Sequence, residues 1–308
     1  MNHYSWLPEH QQHVVFSLAH ADDLIARTSD VLYDYLKPGP LELENVADGD
    51  MARLTVTGVA PLPPGVSRLA ADALTQLRAV LEHTLFAEVA YRLKRPLTKD
   101  EARCIEMPAT TTADNFAKWI KSHRRPQLAP LRDGETLCEH IRELQPFHQA
   151  NPDGHPLRVL AEHTNLSKHR TPSVAATLLG AVKPDIPAPD LIVTSGADRP
   201  IEVGDVLATG PIDLRVPLSV WPKVSIQRPH TETWHVLIHE LGELELWVRS
   251  VAVPHLITGS SNVPSLPPQL DTKVGYHDIQ IALSTASETP AAKRALYRMQ
   301  ADILRNGL

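Results

Sequence analysis

Cysteine is scarce: Cys104 and Cys138 are the only two in 308 residues, and they have no CxxC spacing. That excludes a disulfide framework and favours buried thiols in a reducing compartment. Long apolar runs are missing as well, and none nears the roughly 20 residues that cross a bilayer. The opening Met1-Asn2-His3-Tyr4-Ser5-Trp6 lacks the charged-then-apolar order of a signal peptide, so the expectation is a cytoplasmic protein with no membrane partner. Neither a charge block nor a low-complexity tract argues for disorder. Phosphate loops of the GxGxxG or GxxxxGK[ST] type are absent, and Ser195-Gly196 lacks the flanks of a GxSxG elbow. Nucleotide-driven catalysis and serine-elbow chemistry are thereby disfavoured, and no cofactor is expected. A net charge of −6 argues against a broad grip on duplex DNA while leaving room for a local basic pocket.

Proline and histidine are plentiful. The 27 prolines cut the chain into short elements, and the 16 histidines make chance histidine motifs common. Residues 9 to 36 carry apolar groups at three-to-four spacing and stop at Pro38-Gly39-Pro40, which predicts a helix. Leu41-Glu42-Leu43-Glu44 and Arg53-Leu54-Thr55-Val56-Thr57 alternate around Asp48-Gly49, which predicts a β-hairpin near 41–59. From Val66 to Leu93 neither proline nor glycine intervenes, and Leu69, Ala73, Leu77, Val80, Leu81, Leu85 and Val89 form one apolar stripe. Shorter helices are expected near 113–122, 135–144 and 157–169. From about Pro187 the pattern turns to β-type runs at 191–194, 201–207, 214–220 and 244–251, and a closing helix is expected over 279–308 with a break near Pro290. The expected fold is α+β: a helical bundle core over 1–182 containing the hairpin, an antiparallel β region over 183–260 packed on it, then a loop and terminal helix over 261–308.

Arg78 and His83 lie on the longest helix with four residues between them. Such a pair can cleave RNA without metal, because imidazole handles protons near neutral pH and guanidinium holds phosphate bidentately. Arg142 and His148, Arg158 and His163, Arg228 and His235, and Arg249 and His255 have similar spacing, so spacing alone does not select the pair. Its setting does: Gln76 and His83 lie two turns apart on one helix face. The plainer alternative is an Arg78–Glu82 ion pair beside a half-buried histidine. A second cluster, Asn165-Leu166-Ser167-Lys168-His169-Arg170, ends a predicted helix, where its cations would also complement the helix dipole.

The helix Ala70 to His83, the element Leu144-Gln145-Pro146-Phe147 and the stretch Asn165 to Arg170 together resemble a group of uncharacterised bacterial proteins. Those carry an LR-S-A-L-D-H helix, an LQP-aromatic element and a DKHR signature. Their first motif is similar to the arginine-to-histidine motif of the HEPN superfamily of small helical ribonucleases in toxin–antitoxin and phage-defence systems. The resemblance covers roughly residues 10 to 175. It implies a metal-independent endoribonuclease acting as a homodimer, with Arg78, His83 and His169 catalytic and Lys168, Arg170, Asn165 and Glu82 binding substrate. Ser167 stands where the signature has Asp.

Two other readings compete. His235, His239 and Glu243 fall at four-residue intervals and on a helix could bind zinc, although Glu240 follows the second histidine and so breaks the HExxH order. The alternation of Trp234, Val236 and Ile238 instead favours a strand with solvent-facing histidines, and no metal site is expected. The remaining reading is a non-catalytic binding or scaffold protein.

Overall fold

The computed structural model describes residues 4–122, 127–169, 175–196 and 198–306, with the side chains of 167–169, 285 and 302–306 left out of the description. The chain is a mixed α+β structure with two antiparallel sheets. Helix α1 (His13–Leu36) leads through strands β1 (Leu41–Asp48) and β2 (Met51–Val59) into the 30-residue α2 (Pro64–Leu93). Pro64 sits at the first helical position, where its missing N–H costs nothing. Of the stripe expected on α2, Ala73, Leu77, Val80, Leu81, Leu85 and Val89 are fully enclosed, while Leu69 is half-buried against the same core. Between β1 and β2, Gly49 takes φ 61°, the left-handed conformation a two-residue hairpin needs at its first central position.

Helices α1 and α2 run in opposite directions, since Gln11, just ahead of α1, donates to the Thr84 carbonyl oxygen, while Ser17, further along, accepts from Gln76, earlier on α2. Short helices α3 (Lys99–Ala102), α4 (Ala113–Lys121) and α5 (Thr136–Glu143) follow, then α6 (Pro156–His169), which packs on α2. Four strands come next: β3 (Ala175–Pro184), β4 (Ile192–Val193), β5 (Val206–Pro211) and β6 (Leu218–Gln227), with a short β7 (Trp234–Val236) closing the β-rich part. One sheet runs β1-β2-β5-β4 and the other β3-β6-β7. Val56, Leu179, Val182, Ile201 and Leu207 form a small apolar core between them. Val224 and Ile226 of β6 belong instead to the large helical core. Tyr35 of α1 links hairpin to sheet, its hydroxyl meeting the Ala60 carbonyl at 2.9 Å and Thr177 Oγ1 at 2.8 Å.

The main departure from expectation lies at 244–251, predicted as a strand. Leu237–Trp247 is helix α7, continued by a π turn at Val248–Ala252 and by α8 (Val253–Thr258). Leu237, Leu241, Leu244, Val248 and Ala252 are fully buried at helical spacing, and that burial overrides the Glu-Leu alternation. The chain closes with α9 (Ile279–Thr285) and α10 (Ala291–Asn306) on either side of Pro290. Helix α10 is pinned to α1 through Asp22, which accepts from the Ala291 N–H at 2.6 Å and from Arg294 Nη2 at 2.8 Å. Among the described residues, no helix is long and apolar enough to cross a membrane.

Candidate functional site

Helix α2 turns Arg78 and His83 toward different neighbours. Arg78 Nε donates to Glu82 Oε1 at 2.8 Å, its Nη2 donates to the Met107 carbonyl oxygen, and Glu82 Oε2 accepts the Met107 N–H at 2.8 Å. The ion pair therefore clamps both backbone groups of one residue in the segment between α3 and α4. Arg78 is only 14% exposed. The geometry matches the plainer reading of this pair, a one-turn ion pair, with a structural duty added. Arg78→Ala should lower stability by roughly 2–3 kcal/mol, because Glu82 and the Met107 carbonyl lose a charged partner. An unchanged unfolding midpoint in urea would show that the clamp carries no weight.

His83 is exposed and faces α1, where its ring centroid lies 6.5 Å from that of His13 at an interplanar angle of 58°. Nothing joins it to Arg78 among the described residues. Partial burial of the His13 ring pulls its pKa below the usual histidine value, and the charges of His83 and His10 add to this against a His10 backbone hydrogen bond that raises it. Close by, His10 stacks on Tyr91 with centroids 4.0 Å apart and lies 2.8 Å from Glu88 Oε1. Gln76 does share a helix face with His83, since both meet α1. Sequence reasoning missed His13, because only the register of α1 on α2 brings it to His83.

Asn165 is exposed on α6. The side chains of Lys168 and His169, and all of Arg170, lie outside the described residues. The zinc alternative needs His235, His239 and Glu243 on one helix. His235 instead belongs to β7, while His239 and Glu243 lie on the exposed face of α7. Among the described residues no group of three or more His, Cys, Asp or Glu side chains is placed to hold a metal ion.

No family model, curated protein or solved structure matches this chain.

Proposed function

We propose that the protein acts on RNA as a metal-independent endoribonuclease in which His13 and His83 form the proton-transfer pair. The observation that carries this is the pairing of two accessible imidazoles at 6.5 Å, a separation from which each ring can reach a different oxygen of one phosphodiester. His13, whose proton affinity is lowered, takes the proton of the 2′-hydroxyl. The 2′-oxygen then attacks the adjacent phosphorus, and His83 passes a proton to the departing 5′-oxygen. The products are a 2′,3′-cyclic phosphate and a 5′-hydroxyl end. On this reading α1, α2 and α6 are the HEPN-like core, Arg78 and Glu82 hold the site's scaffold, and Asn165, Lys168, His169 and Arg170 supply substrate contacts. A homodimer and a role in toxin–antitoxin or phage defence follow from the resemblance alone.

Purified protein should cut RNA in EDTA and leave cyclic phosphate ends, with His13→Ala and His83→Ala each slowing cleavage by about 100-fold or more. Because the His13 pKa is lowered, the acid limb of the rate profile should fall below the ordinary histidine range. Removing the His83 charge should move the His13 titration upward in an NMR pH series. Equal cleavage by His83→Ala excludes the proposed role. The engagement of Arg78 by Glu82 and Met107 favours a second reading, a binding protein without turnover, which RNA binding with no cleavage would establish.

A further inference from the structure

The hairpin between β6 and β7 presents a different set of groups, remote in sequence from the His13–His83 pair. Its turn is tight: the Arg228 N–H donates to the Thr233 carbonyl oxygen at 3.0 Å and the Glu232 N–H to that of Arg228 at 2.9 Å. Glu232 is held at φ 59°, a left-handed conformation that a residue with a β-carbon adopts where its surroundings impose it. The turn borders a cleft of about 540 Å³, to which Arg228, Thr231, Thr233, Trp234 and His235 contribute.

Within that wall the side chains form a chain of contacts. Thr231 Oγ1 lies 2.8 Å from Thr233 Oγ1, Thr233 Oγ1 lies 3.0 Å from His235 Nε2, and His235 Nδ1 lies 3.7 Å from Glu240 Oε2. Thr233 immediately precedes β7, and its contact with His235 puts the two side chains on one side of the chain. The turn from β7 into α7 brings Glu240 behind them. Glu240 is 2% exposed, and Arg228 fixes it bidentately from Nε at 2.6 Å and Nη2 at 2.8 Å. The remaining Arg228 nitrogen, Nη1, makes no hydrogen bond among the described residues. A hydroxyl, an imidazole and a carboxylate in this order, beside a cleft and a charged donor, are the parts that nucleophilic acyl transfer needs.

We propose that Thr233, His235 and Glu240 form a hydrolytic site for carboxylic esters, with Thr233 as nucleophile, His235 as general base and Glu240 as a positioning residue. Thr233 Oγ1 attacks the ester carbonyl carbon while His235 Nε2 takes the hydroxyl proton, and Arg228 Nη1 meets the carbonyl oxygen as it becomes negative. The C–O bond to the alcohol then breaks, His235 returns the proton to the leaving alkoxide, and an acyl-threonine remains. Water, deprotonated by the same imidazole, attacks that ester, releases the carboxylic acid and restores the hydroxyl. Burial lowers the His235 pKa, the Arg228 charge adds to this, and Glu240 and Glu243 oppose it, so the ring is neutral at pH 7 and can accept a proton.

The test uses the full chain with p-nitrophenyl acetate. A burst of p-nitrophenolate should precede slower turnover, and peptide mass mapping after an acid quench should place the acetyl group on Thr233. Thr233→Ala and His235→Ala should each lower turnover by about 100-fold, while Thr233→Ser retains it. Thr233 is exposed, so the alanine variant should keep the wild-type circular dichroism. Glu240→Gln should move the acid limb of the rate profile to lower pH, a shift that a merely structural role would not produce. Turnover no faster than buffer, an acetyl group found only on other residues, or an unchanged rate in Thr233→Ala would each overturn the proposal.

Discussion

Acidification from pH 7 to pH 5 is expected to strip several kcal/mol from the folded state, well above the pH at which ordinary carboxylates titrate. His155 and His163 are enclosed, at 5% and 0% exposure, and burial is the main reason that the pKa of each falls to about 4. His148 lowers His155 further, while for His163 the pull of Glu240 is opposed by Arg228, His230 and His235. Nδ1 of His155 accepts the Leu157 N–H at 3.1 Å, and that bond requires an unprotonated nitrogen. Unfolded, both rings bind protons at the ordinary value of 6.5. Between pH 6.5 and 4 the unfolded chain therefore holds more protons, and stability falls as pH falls. Each histidine should cost about 2 kcal/mol by pH 5 and about 3 kcal/mol at pH 4. Asp22 and Glu245, whose pKa values burial raises, act in the opposite sense at the lower end of the range. Urea unfolding at pH 7.5, 6 and 5 measures the effect, and His163→Leu should flatten the dependence. A midpoint that stays constant over that range would refute the assignment.

Breaking the ion pair between α7 and the π turn should be the most damaging single substitution. Arg249 is 6% exposed and Glu245 1%; their Nε and Oε1 atoms lie 2.6 Å apart, and Arg249 Nη1 also donates to the Leu266 carbonyl oxygen at 3.1 Å. Arg249→Met leaves a buried carboxylate without its counter-ion, at a cost of roughly 3–5 kcal/mol. The double variant Arg249→Met/Glu245→Leu removes both charges and should recover most of the loss. Burial already raises the Glu245 pKa, and the deficit of the single variant should shrink on mild acidification as that carboxyl takes up a proton. Equal destabilisation in the single and double variants would show that packing around Arg249 matters more than its charge.

What could be read directly from residues was whatever depends on local pattern. The uninterrupted stripe from Leu69 to Val89 marked α2, and Gly49 marked the hairpin. Helix α7 escaped because Glu240 and Glu245 occupy its buried face, where they are neutralised by Arg228 and Arg249. Two charges in a core stripe look like strand alternation until their partners are known. The ion pair of Arg78 with Glu82 was visible at four-residue spacing, but its grip on Met107 was not, since a main-chain group leaves no signature in side-chain identity. His13 meets His83 only through the register of two helices, and Glu240 reaches His235 only because the chain changes from strand to helix at Leu237.

The pairing of β2 with β5 sets a condition on biosynthesis. Met51 lies opposite Pro211 and Thr55 opposite Val206, so a hairpin completed early in translation waits for most of the polypeptide before its inner edge is covered. Loop closure over such a span is slow compared with helix formation. The nascent hairpin therefore emerges with one row of peptide groups open to any neighbouring strand, and the helices around it can assemble long before that edge is sealed.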